Sequence, residues 1–358
     1  MFIRNAWYVA ATAEELGAAP LGRTVCGEPL VFFRNVADQA IALEDWCPHR
    51  GAPLSLGRVV DGRLVCGYHG LEMGCDGRTV AMPGQRVRGF PPIRSFPVAE
   101  YAGFVWVWPG EPALADRRAL PSLPWADNPA WAFGGGMYHV RCNYRLMIDN
   151  LMDLTHETYV HADSIGQHEI DETPCNTKSE GDTVTTSRLM SGVTAPPFWQ
   201  TAMRAHGLDP AAAVDRWQVC RFSPPSHVMI EVGVALAGTG AREAPPASRV
   251  SSMVVDFITP ESEHSMWYFW GMARDYRPDD QALTERIREG QGRIFGQDIE
   301  VLERQQANLS RWPQRRIMSL NIDSGSVMAR RIIDRIVAAE AAPAQTLNRL
   351  SPSSAAVL

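Results

Sequence analysis

Apolar and polar positions alternate in short runs through the first third of the chain and then give way to longer runs and helical periods. Leu30–Arg34 and Ile41–Asp45 are extended runs joined by a polar Asp38-Gln39 turn. Asp61-Gly62 and Asp76-Gly77 are hairpin-type dipeptides, the second followed by the short run Arg78–Val80. Phe104–Trp108, FVWVW, reads as a buried strand whose aromatic residues belong to the core. From Pro109 to Trp131 the pattern dissolves, with five prolines and no period, so a domain boundary is expected there. Further on, Trp217–Phe222, Val228–Val234, Val250–Ile258 and Ser265–Gly271 read as strands between Pro- and Gly-rich turns. Asp279–Asn308 reads as one long helix and Ser326–Ala339 as a shorter one. The expected class is α+β. An all-β domain spans 1–115, a linker 116–130, an antiparallel-sheet domain flanked by helices 131–340, and a flexible tail 341–358.

Composition narrows the function classes. At 358 residues the chain can bury a sizeable core, and its 45% apolar and 21% charged residues are those of a globular protein. A net charge of −6 argues against nucleic acid or an anionic membrane surface as partner. No apolar run reaches the ~18 residues of a membrane-spanning helix. The opening MFIRNAWYVA lacks the features of a secretory signal. Seven cysteines, an odd number without a paired framework, fit a reducing cytoplasm. The basic residues are almost all Arg, with Lys178 the single lysine, which reflects coding bias rather than function.

Two short ligand pairs stand out, Cys47-Pro48-His49 and Cys66-Gly67-Tyr68-His69, with sixteen residues between them. Thiolate and imidazole suit tetrahedral zinc or iron–sulfur iron. A structural Cys₂His₂ zinc site is one reading, although common zinc patterns group Cys with Cys and His with His. C-x-H followed by C-x-x-H is the Rieske signature, in which two Cys hold one iron of a [2Fe–2S] cluster and two His hold the other. That resemblance implies Cys47 and Cys66 on one iron and His49 and His69 on the other.

A second constellation lies in Leu146–His161, LMIDNLMDLTHETYVH, a helix-forming stretch crowded with polar groups. Asn150, Asp153 and His156 are spaced to share one helical face. His156 and His161, five apart, would reach one metal only if the helix widened in a π-bulge or ended between them. The alternative is that each His merely caps or packs. In the late helix Ile287, Ile294, Asp298, Leu302 and Leu309 form one stripe, so Asp298 occupies a slot otherwise reserved for an apolar residue. A metal cation would remove the cost of a carboxylate there. Glu289, Glu300 and Glu303 share that stripe less well. Two His and one carboxylate make the facial triad of non-haem Fe(II) oxygenases.

The run D-N-L-M-D-x-x-H-x-x-x-x-H downstream of a Rieske motif resembles the oxygenase components of Rieske non-haem iron oxygenases, in particular the vanillate and dicamba O-demethylase group. The resemblance runs from RNAWYVA through CPHRGAPLSLG and YHGLEMGCDG to RFSPPSH, DFITPE and WYFWGMAR, leaving out the carboxy-terminal tail. It implies that His156, His161 and Asp298 bind a mononuclear Fe(II), that Asp153 is the bridging carboxylate, and that Asn150 is the amide near the iron. It also implies O₂ as co-substrate and a head-to-tail homotrimer. The chain carries no nucleotide fingerprint, so electrons are expected from NADH through a separate flavin and iron–sulfur reductase. The expected reaction is O-demethylation of vanillate to protocatechuate and formaldehyde. The same chemistry on another methoxy- or methyl-substituted aromatic acid is the near alternative. A Rieske electron carrier without mononuclear iron is the distant one. Phe198, Trp199, Val232 and Phe257 are candidate pocket walls. Arg216 or Arg221 is a candidate partner for a benzoate carboxylate, each also readable as an ordinary strand arginine.

Overall fold

The computed structural model describes residues 1–342. The first 107 residues fold into eleven short strands in three small sheets. β1 (Tyr8–Thr12), β10 (Val98–Tyr101) and β11 (Phe104–Val107) form one sheet, in the order β1-β11-β10. β2 (Leu21–Val25), β3 (Glu28–Arg34), β4 (Ala40–Glu44) and β9 (Ser95–Phe96) form the second. β5 (Arg58–Val60), β6 (Arg63–Val65), β7 (Glu72–Met73) and β8 (Thr79–Ala81) make a four-stranded meander. Asp61 and Gly62, both at positive φ (48° and 68°), turn β5 into β6 as the dipeptide predicts. A Cβ on Gly62 would lie 2.3 Å from the Val36 nitrogen, so only glycine fits.

From Ala132 a seven-stranded, wholly antiparallel sheet takes over, in the order β12-β18-β17-β16-β15-β14-β13. Its strands are β12 (Ala132–Val140), β13 (Asn176–Glu180), β14 (Thr183–Thr194), β15 (Ala213–Ser223), β16 (His227–Leu236), β17 (Arg249–Pro260) and β18 (Met266–Arg274). The four strands expected from sequence all form, each somewhat longer than its apolar run. β12, β13 and β14 escaped notice. β12 holds three consecutive glycines, poor strand formers that here admit close neighbours: a Cβ on Gly135 would sit 2.2 Å from the Trp270 carbonyl oxygen. The helices are α1 (Tyr144–Met152), α2 (Glu157–Val160), α3 (Glu169–Glu172), α4 (Pro197–His206), α5 (Gln281–Arg311) and α6 (Ser324–Ala341). Asp280 caps α5, its Oδ1 accepting from the Leu283 amide at 2.9 Å. No helix among the described residues is long and apolar enough to cross a membrane. The expected flexible tail lies, from residue 343, outside the described residues.

Both faces of this sheet are covered. Helices pack on one, where Val254 and Ile258 join Ile148, Met203, Ile287 and Ile333. On the other, Trp7, Phe104 and Trp106 of the N-terminal strands pack on Val255, Phe257 and Phe269. Phe257 therefore faces the N-terminal strands and not the pocket, correcting its expected place as a wall. Its ring lies 5.0 Å from that of Trp106 and 5.4 Å from that of Phe104. Burying one such side chain contributes about 1.5–3 kcal/mol. Polar ties cross the same seam: Thr259 Oγ1 donates to the Val9 carbonyl (2.6 Å), and the Cys26 amide to that of Pro260 (2.7 Å). His227 is buried between Trp106 and Phe257, its Nε2 3.2 Å from the Trp7 carbonyl.

Candidate active site

Two loops of matched construction, one after β4 and one between β6 and β7, carry the ligand pairs. In the first, the Cys47 amide donates to the Ala52 carbonyl (2.9 Å) and the Gly51 amide returns to Cys47 (2.8 Å). In the second, the Cys66 amide donates to Leu71 (2.8 Å) and Gly70 returns to Cys66 (3.0 Å). Each loop closes on a glycine at positive φ, 69° at Gly51 and 74° at Gly70. Cys47 and Cys66 are buried side by side. Burial, together with the neighbouring thiol, raises the pKa of Cys47. His49 and His69 pair at the tip with ring centroids 4.6 Å apart. The four side chains thus form a sulfur pair and an imidazole pair. They do not close on a single point, since the one set of three such groups that does so among the described residues lies elsewhere. That arrangement fits two irons and not one zinc. His69 is exposed, as are Tyr68, whose ring lies 3.9 Å from it, and Trp46, next to Cys47 in the chain.

That other set is His156, His161 and Asp298, whose ligand atoms all lie within 4.8 Å of one another. The histidines reach it by neither expected device. α1 stops at Met152, before both of them. There Asp153 Oδ1 accepts from the Thr155 amide (2.7 Å) and hydroxyl (2.6 Å), a side-chain turn that competes with the helix and ends it. The single turn α2 then spans from His156 to His161 and brings their rings to 5.2 Å. Asn150, Asp153 and His156 therefore do not share a continuous helical face.

Asp298 enters from α5, buried with Ile287, Ile294 and Leu302 as the stripe requires, while Leu309 is only half buried. Its Oδ1 lies 3.2 Å from His161 Nε2 and 3.5 Å from His156 Nε2, and accepts from Asn150 Nδ2 at 3.0 Å. His161 Nδ1 lies 2.8 Å from Gln297 Oε1; donating there fixes the tautomer that turns Nε2 toward Asp298. Burial would lower the His161 pKa, but the hydrogen bond and charge of Asp298, with Gln297, raise it above the ordinary value. The site calls for a positive charge, and its His₂-carboxylate donors suit Fe(II). The buried Asn150 Oδ1 and His156 Nδ1 have no partner. Asp153 Oδ2 stands 3.9 Å from His156 Nδ1, beyond hydrogen-bond range, so the expected contact is not made in this geometry.

Above these donors is a cavity walled by Phe198, Trp199, Ile230, Val232, Val254, Ile294 and Phe295. One edge is polar. Arg216 Nη2 donates to Glu157 Oε2 (3.0 Å), Nη1 donates to Gln167 Oε1 (2.6 Å) and the Ile165 carbonyl (2.9 Å), and Gln218 Nε2 holds the other Glu157 oxygen. Burial drives the Arg216 pKa down and Glu157 opposes it. Removing either partner would leave a buried charge, at a cost of about 3–5 kcal/mol. Arg216 is thus part of the cavity wall, but as half of an internal ion pair. Arg221 lies outside, near Glu231 at 3.7 Å. Glu157 is one of the polar residues crowding the stretch between the histidines, but sequence gives it no role, since its partner is 59 residues away.

Comparison with known proteins agrees with this geometry. Residues 6–97 match the family model of the Rieske [2Fe-2S] domain, and residues 140–339 that of the vanillate O-demethylase oxygenase C-terminal domain. Over 340 residues the chain is 63% identical to a vanillate O-demethylase oxygenase subunit of Pseudomonas sp. (strain HR199 / DSM 7063), covering 95% of this chain and 96% of that protein. The crystal structure of dicamba monooxygenase bound to 3,6-dichlorosalicylic acid is similar with a TM-score of 0.89 at 35% identity, covering 96% and 99% of the two chains. A second dicamba monooxygenase structure, with non-haem iron and dicamba, gives a TM-score of 0.81 at 34% identity, covering 95% and 98%.

Proposed function

The chain belongs to the vanillate O-demethylase branch of the Rieske non-haem iron oxygenases, and we propose on that footing that it removes the methyl group of vanillate. It is the oxygenase component of a monooxygenase, with a Rieske [2Fe–2S] cluster and a mononuclear iron, and takes its electrons from a separate reductase. The balance is ArOCH₃ + O₂ + 2 e⁻ + 2 H⁺ → ArOH + HCHO + H₂O. Oxygen enters a C–H bond of the methoxy group, and the resulting hemiacetal collapses to protocatechuate and formaldehyde.

The observation that carries this reading is the convergence of His156, His161 and Asp298 at the foot of an apolar cavity. These three would hold the mononuclear iron; Cys47 with Cys66, and His49 with His69, would hold the cluster. When bound, the irons supply O₂ activation and single-electron delivery. The protein's own share is positional. Gln297 holds the His161 ring, Asn150 holds the Asp298 carboxylate, and the apolar walls exclude water while presenting the methyl carbon to the open side of the donor set.

We assign Asp153 as the bridge that carries electrons from the cluster of a neighbouring subunit in a head-to-tail homotrimer. Two features support this. His69, Tyr68 and Trp46 are exposed at the cluster tip, and a surface cleft of about 730 Å³ has Asn150 and Asp153 on its wall beside exposed Ile317, Met318 and Leu320. The reductase is NADH-dependent and carries flavin and an iron–sulfur centre, and the assembly works in the cytoplasm, where the five cysteines outside the cluster stay reduced.

Purified protein supplied with such a reductase, NADH and O₂ should release formaldehyde and protocatechuate in equal amounts from vanillate. A panel of methoxy- and methylbenzoates run alongside ranks the substrates. A cluster that cycles while no compound loses a methyl group would instead mark an electron carrier.

A further inference from the structure

We propose that Gln291 recognises the ring carboxylate of the substrate, an inference that rests on the aromatic-acid demethylase function above. Gln291 is 6% exposed and lines the cavity; its side-chain amide makes no hydrogen bond to any described residue, and its polar atoms are not sealed from solvent as those of Asn150 Oδ1 and His156 Nδ1 are. An amide on a cavity wall with no protein partner is free to pair with a ligand that enters. Both arginines expected from sequence are otherwise engaged: Arg216 is neutralised by Glu157, and Arg221 is outside the cavity near Glu231.

Position selects the group that Gln291 reads. Gln291, Ile294, Phe295 and Asp298 fall at i, i+3, i+4 and i+7 on the cavity face of α5. Gln291 therefore stands two helical turns, roughly 10 Å, from the metal-binding carboxylate. On a 4-hydroxy-3-methoxybenzoate the hydroxyl adjoins the methoxy group, and the carboxylate is attached across the ring. With the methyl carbon at the metal end, the hydroxyl stays near that end and the carboxylate reaches the turn that bears Gln291. Ile294 and Phe295, between them, meet the ring.

A buried cation behind the polar edge also favours an anion. Arg188, 4% exposed, donates to the carbonyls of Thr173 and Leu154 and to the Cys175 thiol, with Gln218 Oε1 at 3.4 Å, and has no carboxylate partner. Arg188 does not itself line the cavity, but its positive charge lies behind the polar edge, bonded to the Leu154 carbonyl and to Gln218, which do. The remaining carboxylates of the wall are Asp298, engaged with the metal donors, and Asp153.

The test uses the oxidised holoenzyme under anaerobic conditions, where calorimetry reads binding without turnover. Vanillate, guaiacol (no carboxylate) and vanillamide are the probes. Gln291→Leu should weaken vanillate roughly 10- to 100-fold, the range for a lost hydrogen bond to a charged group, and leave guaiacol unchanged. Gln291→Glu should weaken vanillate further and strengthen vanillamide, whose amide donates to the glutamate side chain. Iron content and circular dichroism matching the native protein exclude misfolding. Equal loss of vanillate and guaiacol in Gln291→Leu would overturn the proposal, as would a loss that tracks the 4-hydroxyl in a comparison with 3-methoxybenzoate. Failure of the native enzyme to demethylate any of these compounds would instead overturn the demethylase reading itself.

Discussion

The two metal-binding regions are built on opposite principles. The cluster loops are local: each ligand pair sits within four residues, and the loop's own backbone hydrogen bonds set its shape. Of their imidazoles, His69 is exposed and His49 half-buried. The interior site is assembled from α1, α2 and α5, with 136 residues between His161 and Asp298, and two of its three donors are almost fully buried. A loop whose geometry is local can hold its cofactor at the surface, where electrons arrive. A site assembled by tertiary packing can be closed to water, where oxygen must be handled. The difference predicts that damage stays local in the first region and spreads through shared contacts in the second.

Removing a donor from the interior site is the severest test. Asp298→Ala should lower demethylation by more than about a hundredfold, beyond the loss typical of an outer-sphere change. Elemental analysis should show one iron of three missing per chain, with the visible spectrum of the cluster intact. Loss of the cluster as well would mean that the two regions are not independent.

Asp153→Asn probes the link between them. Turnover should approach zero with all three irons retained, or with iron affinity down no more than about 10–100-fold. Stopped-flow absorbance should find a reduced cluster that fails to reoxidise with substrate and O₂. Rapid reoxidation coupled to formaldehyde release would remove Asp153 from the path. A milder break is Gln297→Leu, which takes away the acceptor of His161 Nδ1. Titration of the iron-free interior site should give an affinity reduced about 10–100-fold, with turnover recovering at high iron.

The smallest effect belongs to the exposed region. Gly51→Ala places a side chain at φ 69°, against the Trp46 ring at 2.5 Å. The left-handed conformation costs about 1–2 kcal/mol, and exposed Trp46 has room to swing away. Thermal unfolding should shift by a few degrees, and the interior site should load iron normally.

The same contrast explains what was legible in the chain. Cys47, His49, Cys66 and His69 announce themselves because their spacing is a property of consecutive residues. Asp298 was visible because a charged residue interrupts an apolar stripe, a signal that burial alone produces. The turn at Asp153 was not visible, since helix-forming residues flank it and the Asp–Thr hydrogen bonds that end α1 resemble an ordinary polar pair. The side that Phe257 faces is not readable from sequence because β17 is buried on both faces, and alternation then says nothing about which face is which. Glu157 with Arg216, and Gln291 with the cavity, depend on strands and helices meeting from distant parts of the chain. No local period encodes those meetings.

His227, wedged between Trp106 and Phe257 at the seam of the two halves, makes that seam a proton-linked joint. Burial pushes its pKa down to about 4, from the usual histidine value of 6.5. The unfolded chain therefore takes up a proton near pH 6.5 that the folded chain refuses until about pH 4. Stability from this residue is whole above the first value, falls as pH drops through the interval, and levels off below the second; the loss totals about 3 kcal/mol. Acid should thus weaken the protein along the line where the electron-receiving half rests on the oxygen-handling half. Calorimetric scans from pH 7.5 to 4.5 should show a steeper decline for the native chain than for His227→Phe, and parallel declines would place the acid sensitivity elsewhere.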